Sequence, residues 1–244
     1  MTIAIGLIAG NGAVLATDAE ESYGHEKRAV GKLVMCPSKH VGIPRTIGIA
    51  GAGTSDYLDA FADVVAQISK SGEASSAEEL EERIKQELLR FYDAHVIPFS
   101  RYPEDQIPNM NLAIVHGKFA ENRLWITSLN TLRREPFYGA VGIGSFHALR
   151  LLGHLYRPDM PISDAVRLAA YVIDDTRRSV HGCGQRTDVM QIKNGHLYEL
   201  VDRKLITQLE AAFERLRALE WDVFRYCFNA VSYTHLTLPT TPYV

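Results

Sequence analysis

The chain is poor in cysteine, has no long apolar run and carries almost no bias of charge, and each absence narrows what it can be. Three cysteines in 244 residues, Cys36, Cys183 and Cys227, are odd in number and far apart. They make neither a disulfide framework nor a zinc ligand set, so buried or incidental thiols are expected. No apolar stretch approaches the roughly 20 residues that span a bilayer, and the N-terminal residues lack the basic segment and small-residue cleavage site of a secretion signal. A cytoplasmic protein with no membrane partner is therefore expected. With 26 Lys and Arg against 29 Asp and Glu, the formal net charge is -3, which leaves no electrostatic footprint for nucleic acid. The nine histidines show no paired ligand spacing on a helix, and His181-Gly182-Cys183 is too short to add more, so no metal or organic cofactor is implied.

What is present is an ordinary globular composition, 46% hydrophobic, with patterning that changes period along the chain. Short β-rich runs come first: Ile3 to Ala9, Ala13 to Thr17, Leu33 to Cys36 and Thr46 to Ala50. Asn11-Gly12 between the first two runs is a hairpin signal that makes them antiparallel neighbours. From Thr54 the spacing of Tyr57, Phe61, Val64, Val65 and Ile68 is helical. A second helix opens at Ser76, with Glu79 three residues on as a capping box, and carries Leu80, Ile84, Leu88 and Phe91 on one stripe. Its Glu81, Glu82, Lys85 and Glu87 read as a solvated face.

After a loop bearing Pro98, Pro103 and Pro108, strands are expected at Asn111 to Val115, Leu124 to Ser128 and about Pro136 to Val141. Helices follow near Phe146 to Leu155 and Ser163 to Arg178. A hairpin around Asn194-Gly195 joins Val189 to Ile192 with His196 to Leu200, and a last helix covers about Ile206 to Phe228. Segregated blocks of strands and helices argue for an α+β architecture in which antiparallel sheets carry helices on their outer faces. No linker or internal repeat divides the pattern, so one domain over residues 1–230 is expected. Residues 231–244, Thr-rich and without periodicity, are expected to be a non-native or disordered tail.

Chemistry enters through three blocks. Thr2-Ile3-Ala4-Ile5-Gly6-Leu7 opens a strand, Asn11 to Asp18 returns from the turn, and Lys32-Leu33 begins another strand. Ile49-Ala50-Gly51-Ala52-Gly53-Thr54-Ser55-Asp56 forms a glycine-bearing passage from strand to helix. Ala140-Val141-Gly142-Ile143-Gly144-Ser145 forms a second. In order and spacing these blocks resemble the proteasome β subunits and related bacterial threonine peptidases, which are N-terminal nucleophile hydrolases. The resemblance covers about residues 2 to 200 and is densest in the first 60. It implies a four-layer αββα sandwich.

Carried over by position, the resemblance makes Thr2, exposed as the N-terminus once Met1 is removed, both nucleophile and base. An N-terminal Thr supplies its own base in a free α-amine whose ordinary pKa lies at about 7.7 to 8.0. Lys32 would sit near the hydroxyl, favouring the alkoxide, and Asp18 would pair with Lys32 and orient it. The backbone N–H of Gly53 is the candidate oxyanion donor, with Gly51 as the alternative.

The pattern also departs from the family. Ile143 stands where the family usually has a Ser, and Arg178, Ser179, His181 and Cys183 occupy the segment that usually carries an Asp and a Ser. Ser145 or Ser179 are the substitutes within reach of a shifted register. Glu20 and Glu21 follow Asp18 at the border of the substrate groove, where Glu21 is read first as a solvated charge and, as the alternative, as a bias of cleavage toward basic side chains on the residue preceding the scissile bond.

The resulting expectation is a threonine-type endopeptidase acting on peptide or unfolded protein through an acyl-enzyme. The alternatives are a catalytically silent ring subunit and an amidase of small amides. The resemblance further implies a homo-oligomeric ring, and leaves open an ATP-dependent unfoldase as its partner.

Overall fold

A computed structural model describes residues 2–23, 26–40, 43–72, 74, 76–103, 107–118 and 121–235. Only the backbone is described for 21–28, 38–44, 118 and 229–235 within those ranges. In chain order the elements are β1 (Ile3–Ala9), β2 (Gly12–Asp18), β3 (Glu20–Tyr23), β4 (Glu26–Ala29), β5 (Leu33–His40), β6 (Ile43–Gly53), α1 (Ser55–Ser71) and α2 (Ala77–His95). After a 3-10 turn at Ile97–Phe99 come β7 (Met110–Lys118), β8 (Glu121–Ser128), β9 (Thr131–Glu135), β10 (Tyr138–Gly142), α3 (Ser145–Leu155), α4 (Ile162–Ser179), β11 (Thr187–Lys193), β12 (Tyr198–Leu200) and α5 (Arg203–His235).

One antiparallel sheet runs β10-β1-β2-β11-β12 and the other β5-β6-β7-β8-β9, while β3 and β4 form a separate hairpin. The sheets pack face to face over Ala4, Leu15, Ala50, Ala113, Val115, Leu124 and Met190. Helices α3 and α4 cover the outer face of the first sheet, burying Ile3, Ile5 and Leu7 against Ala148, Leu152, Ala169 and Ile173. Helices α1 and α2 cover the second, with Phe61, Leu80, Ile84 and Leu88 on Ile49, Ile114 and Trp125. The result is a four-layer αββα sandwich.

Because β1 and β2 lie in an inner layer, both of their faces are buried, and their sequences read as near-continuous apolar runs rather than alternations. Small residues on the inward face set the distance between the sheets. A Cβ on Gly6 would come 2.5 Å from Leu124 Cδ1, and one on Gly48 would come 2.1 Å from Met190 Cε.

Helix α2 starts where the sequence places it, with Ser76 Oγ accepting the Glu79 N–H at 3.1 Å. Two expectations are corrected. The turn between β1 and β2 is Gly10-Asn11, not Asn11-Gly12, because Ala9 already pairs with Gly12. Asn11 is drawn into the turn by α4, whose Ile162 N–H donates to Asn11 Oδ1 at 2.8 Å. The strand expected at Pro136 to Val141 is β10 alone and begins at Tyr138, preceded by a separate edge strand, β9. The charged Thr131-Leu132-Arg133-Arg134-Glu135 run shows no apolar alternation to announce it.

Glu81, expected only on a solvated face, also accepts the Trp125 indole N–H at 2.9 Å. Helix α5 packs on α4 through Ile206 and Phe213, and from Glu214 to Phe228 none of its residues is buried. It continues through His235, past residue 230, while residues 236–244 lie outside the described part. Cys36 and Cys183 are buried and Cys227 is exposed. No helix among the described residues is long and apolar enough to cross a membrane.

Candidate active site

Thr2 immediately precedes β1, Asp18 ends β2 and Lys32 immediately precedes β5, so chain reversals in two different sheets bring three distant residues to one edge of the sandwich. The β3–β4 hairpin makes the long connection. It closes on itself where the Val30 N–H donates to the Ala19 carbonyl at 2.8 Å, which returns Lys32 toward Thr2.

Lys32 Nζ donates to Thr2 Oγ1, to Asp18 Oδ1 at 3.0 Å and to the Glu20 carbonyl. The Thr2 hydroxyl lies 3.4 Å from the same Glu20 carbonyl. Asp18 is fully buried and is held by two backbone donors as well as the lysine. Ile3 N–H reaches Oδ1 at 3.2 Å and Gly184 N–H reaches Oδ2 at 2.9 Å. Thr17, also buried, places its hydroxyl 2.9 Å from the Ile3 carbonyl and 2.9 Å from the Asp18 carbonyl, tying the start of β1 to the end of β2. A buried carboxylate needs compensation of this kind, and here one ammonium and two N–H groups supply it.

Chemically, the arrangement keeps an ammonium against a hydroxyl that is 5% exposed as a residue. A cation beside a hydroxyl stabilises the alkoxide form and so favours loss of its proton. Burial, followed by the nearby Asp18 charge, pushes the Cys183 thiol up to about 12, only partly opposed by Lys32. Cys183 is therefore protonated at neutral pH and is no rival nucleophile.

Two cavities meet at Thr2 and Gly53. The first, of about 370 Å³, is lined by Glu20, Lys32, Val34, Ile49, Asp56 and Asp59 among others. The second, of about 570 Å³, is lined by Asn111, Ser128, Arg133, Gly142, Ile143 and Ser145 among others. Gly53 ends β6 with φ at +130°, a region essentially reserved for glycine, and a Cβ there would come 2.0 Å from the Asn109 carbonyl. Gly53 is exposed to both cavities. Gly51 lines the first cavity but is buried and paired with Leu112, beneath the surface that a substrate would meet.

Of the substitutes for the missing serines, Ser145 lines the second cavity beside Thr2, whereas Ser179 is exposed at the end of α4 and lines none of the cavities described. Ile143 is half-exposed into the second cavity. Arg178 turns away to pair with Asp174 at 3.2 Å and with Glu214. The Glu21 side chain lies outside the described residues, as does Met1.

Sequence reasoning did not find the Glu20 carbonyl, the Gly184 N–H or the Thr17 hydroxyl. It also missed the close packing of Gly142, whose added Cβ would come 2.2 Å from the Thr2 carbonyl. Backbone groups carry no residue signature, and only the positive φ of Gly142, +99°, leaves a trace as glycine in the sequence.

No family model matches the chain. Over 196 residues, 80% of this chain and 88% of the relative, it is 28% identical to a protein of Sulfurisphaera tokodaii named proteasome subunit beta 2. Among solved structures, it is similar to a Gly-1 mutant of Anbu from Hyphomicrobium sp. strain MC1, with a TM-score of 0.72, 15% identity and full coverage of both chains. It is likewise similar to Anbu from Yersinia bercovieri, described as an ancestral beta-subunit. There the TM-score is 0.70 and the identity 14%, over 99% of this chain and all of the other.

Proposed function

We propose that this chain, sharing the fold of Anbu and a sequence similarity to a proteasome β subunit, is a threonine-type peptidase with Thr2 as nucleophile. The observation that carries this reading is the convergence of Thr2 Oγ1, Lys32 Nζ, Asp18 and the Glu20 carbonyl where two cavities meet.

Removal of Met1 frees the Thr2 α-amine. The amine takes the hydroxyl proton, and Oγ1 attacks the substrate carbonyl while Lys32 offsets the developing negative charge. The Gly53 N–H is the oxyanion donor of this reading, and its exposed position at the meeting of the cavities supports it over Gly51. Collapse expels the amine product with the proton held by the α-amine. That leaves an ester on Thr2, which water hydrolyses after giving a proton to the same amine.

Peptides or unfolded proteins are the substrates of this reading. Apolar residues exposed on α5, among them Leu219, Trp221, Phe224 and Phe228, support homo-oligomeric assembly, and a cytoplasmic ring fed by an ATP-dependent unfoldase is its fullest form. A silent ring subunit is the second reading. It is favoured by Ile143 in the second cavity and by the distance of Ser179 from it.

Intact mass spectrometry separates the two. Purified protein is expected to lack Met1 and to gain one adduct of an epoxyketone directed at N-terminal threonine, and Thr2→Ala is expected to gain none. Retention of Met1, or an unmodified Thr2 terminus, sinks the peptidase reading and leaves the silent subunit.

A further inference from the structure

We propose that the first cavity selects a cationic side chain, Lys or Arg, on the residue whose carbonyl meets Thr2. The inference deepens the peptidase reading and rests on it for the orientation of the substrate.

The cavity has two kinds of wall. Val34, Ile49, Ala62 and Leu112 give it an apolar floor, on which the methylene stem of a long side chain can lie. Asp56 and Asp59 give it two carboxylates, and the sole cation among the described lining residues is Lys32. That ammonium is already engaged by Asp18, the Thr2 hydroxyl and the Glu20 carbonyl. It is therefore poorly placed to offset the acids further along the wall.

Asp56 and Asp59 lie three residues apart on the first turns of α1, on one face of the helix. Neither forms an ion pair with a cation among the described residues. Glu20 faces Thr2 and Lys32 with its carbonyl, while its carboxylate lies against Gly184, where an added Cβ would come 2.1 Å from Oε2.

On an open surface such acids would be a solvated face. Here they wall a cavity of about 370 Å³ that opens on the proposed nucleophile, so a side chain entering it displaces the water that screens them. An apolar stem with a cationic head matches both walls. A leucine satisfies the floor alone, and a glutamate meets two like charges.

The experiment uses the full chain and separates recognition from chemistry. In the Thr2→Ala background, calorimetry measures binding of acetylated tripeptide amides ending in Arg, Leu or Glu. The Arg peptide is expected to bind about tenfold more tightly than the Leu peptide, an advantage within reach of two partly screened charge pairs, with the Glu peptide weaker still. Raising salt to about 0.5 M, where the Debye length shrinks to a few ångströms, is expected to remove most of that advantage.

The isosteric pair Asp56→Asn with Asp59→Asn is expected to bring Arg and Leu to within about twofold. Equal or tighter binding of the Leu peptide overturns the proposal. So does an Arg preference that survives the double substitution, or no Arg-peptide binding at about 1 mM, the weak end of specific recognition. Turnover of matching fluorogenic peptides by the unsubstituted protein, and the Thr2 adduct, report separately on the peptidase reading. That reading can fail while the binding preference stands, and the reverse is equally readable.

Discussion

Two aspartates are fully buried at opposite kinds of place in this molecule, and their surroundings differ instructively. Asp18 accepts from one lysine and two backbone N–H groups where two cavities meet. Asp174, on α4, is ringed by arginines: Arg177 at 2.7 Å, Arg178 at 3.2 Å and Arg217 of α5 at 2.6 Å. Burial by itself would raise the Asp174 carboxyl. Hydrogen bonds from Arg217 and Arg177, with the Arg178 charge, hold it below the usual carboxylate range. Yet Asp174 lines none of the cavities described.

By charge pairing alone Asp174 would be the more conspicuous functional candidate. It is better understood as the clamp that fastens α5 to α4, where among the described residues α5 buries only Ile206 and Phe213. A perturbed buried carboxylate marks a place where charges must be compensated. It becomes a candidate for chemistry only when a hydroxyl and a cavity share its partner.

The contrast can be broken in three ways. The largest effect is expected at Lys32, since it is the link between Asp18 and Thr2. Lys32→Met is expected to lower turnover about 10³-fold through loss of electrostatic support for the alkoxide and the transition state. Steady-state kinetics on protein with an unchanged circular dichroism spectrum is the check, and activity within tenfold of the unsubstituted chain would show that Lys32 is structural.

Next comes Asp174→Ala, which leaves three arginines around an uncompensated void. A loss of about 3–5 kcal/mol is expected, seen as a melting temperature lower by about 10 °C. Turnover per folded molecule at low temperature is expected to hold, and a matching loss of kcat would merge the two regions that the comparison separates.

The smallest effect is one of pH. The folded Asp174 carboxyl titrates below its unfolded value, so its stabilising contribution is complete above about pH 4 and is lost as pH falls from there through the lower folded value. The gap in urea midpoint between the unsubstituted chain and Asp174→Ala is expected to be constant from neutrality to about pH 5 and to narrow below about pH 4. A gap that narrows instead as pH rises would refute the assignment.

Much was legible in the chain before it folded. The apolar period, the Ser76 cap and the glycine passages at Gly53 and Gly142 mark local conformations, because backbone propensity and side-chain periodicity act over a few residues. They account for the segregated blocks of strands and helices, and hence the α+β class, while the αββα layering follows from the resemblance. The β3–β4 hairpin and β9 were not legible. Their Glu, Lys and Arg residues lack apolar alternation, and these segments are strands through pairing with neighbours rather than through propensity.

Thr2, Asp18 and Lys32 could be named from resemblance, since each has a side chain that the sequence displays. What only the tertiary structure decided is where they meet and what surrounds them. The Glu20 carbonyl and Gly184 N–H are backbone groups present at nearly every residue, and nothing but the packing of β2, the hairpin and the α4–β11 turn aims them at this site. Likewise, Asp56 and Asp59 are unremarkable as letters on an amphipathic helix. They become a wall only because α1 lies against the sheet that ends in Gly53, next to Thr2. Local chemistry is written along the chain, whereas the shared electrostatic field of residues 30 or 50 positions apart exists only after folding brings them within a few ångströms.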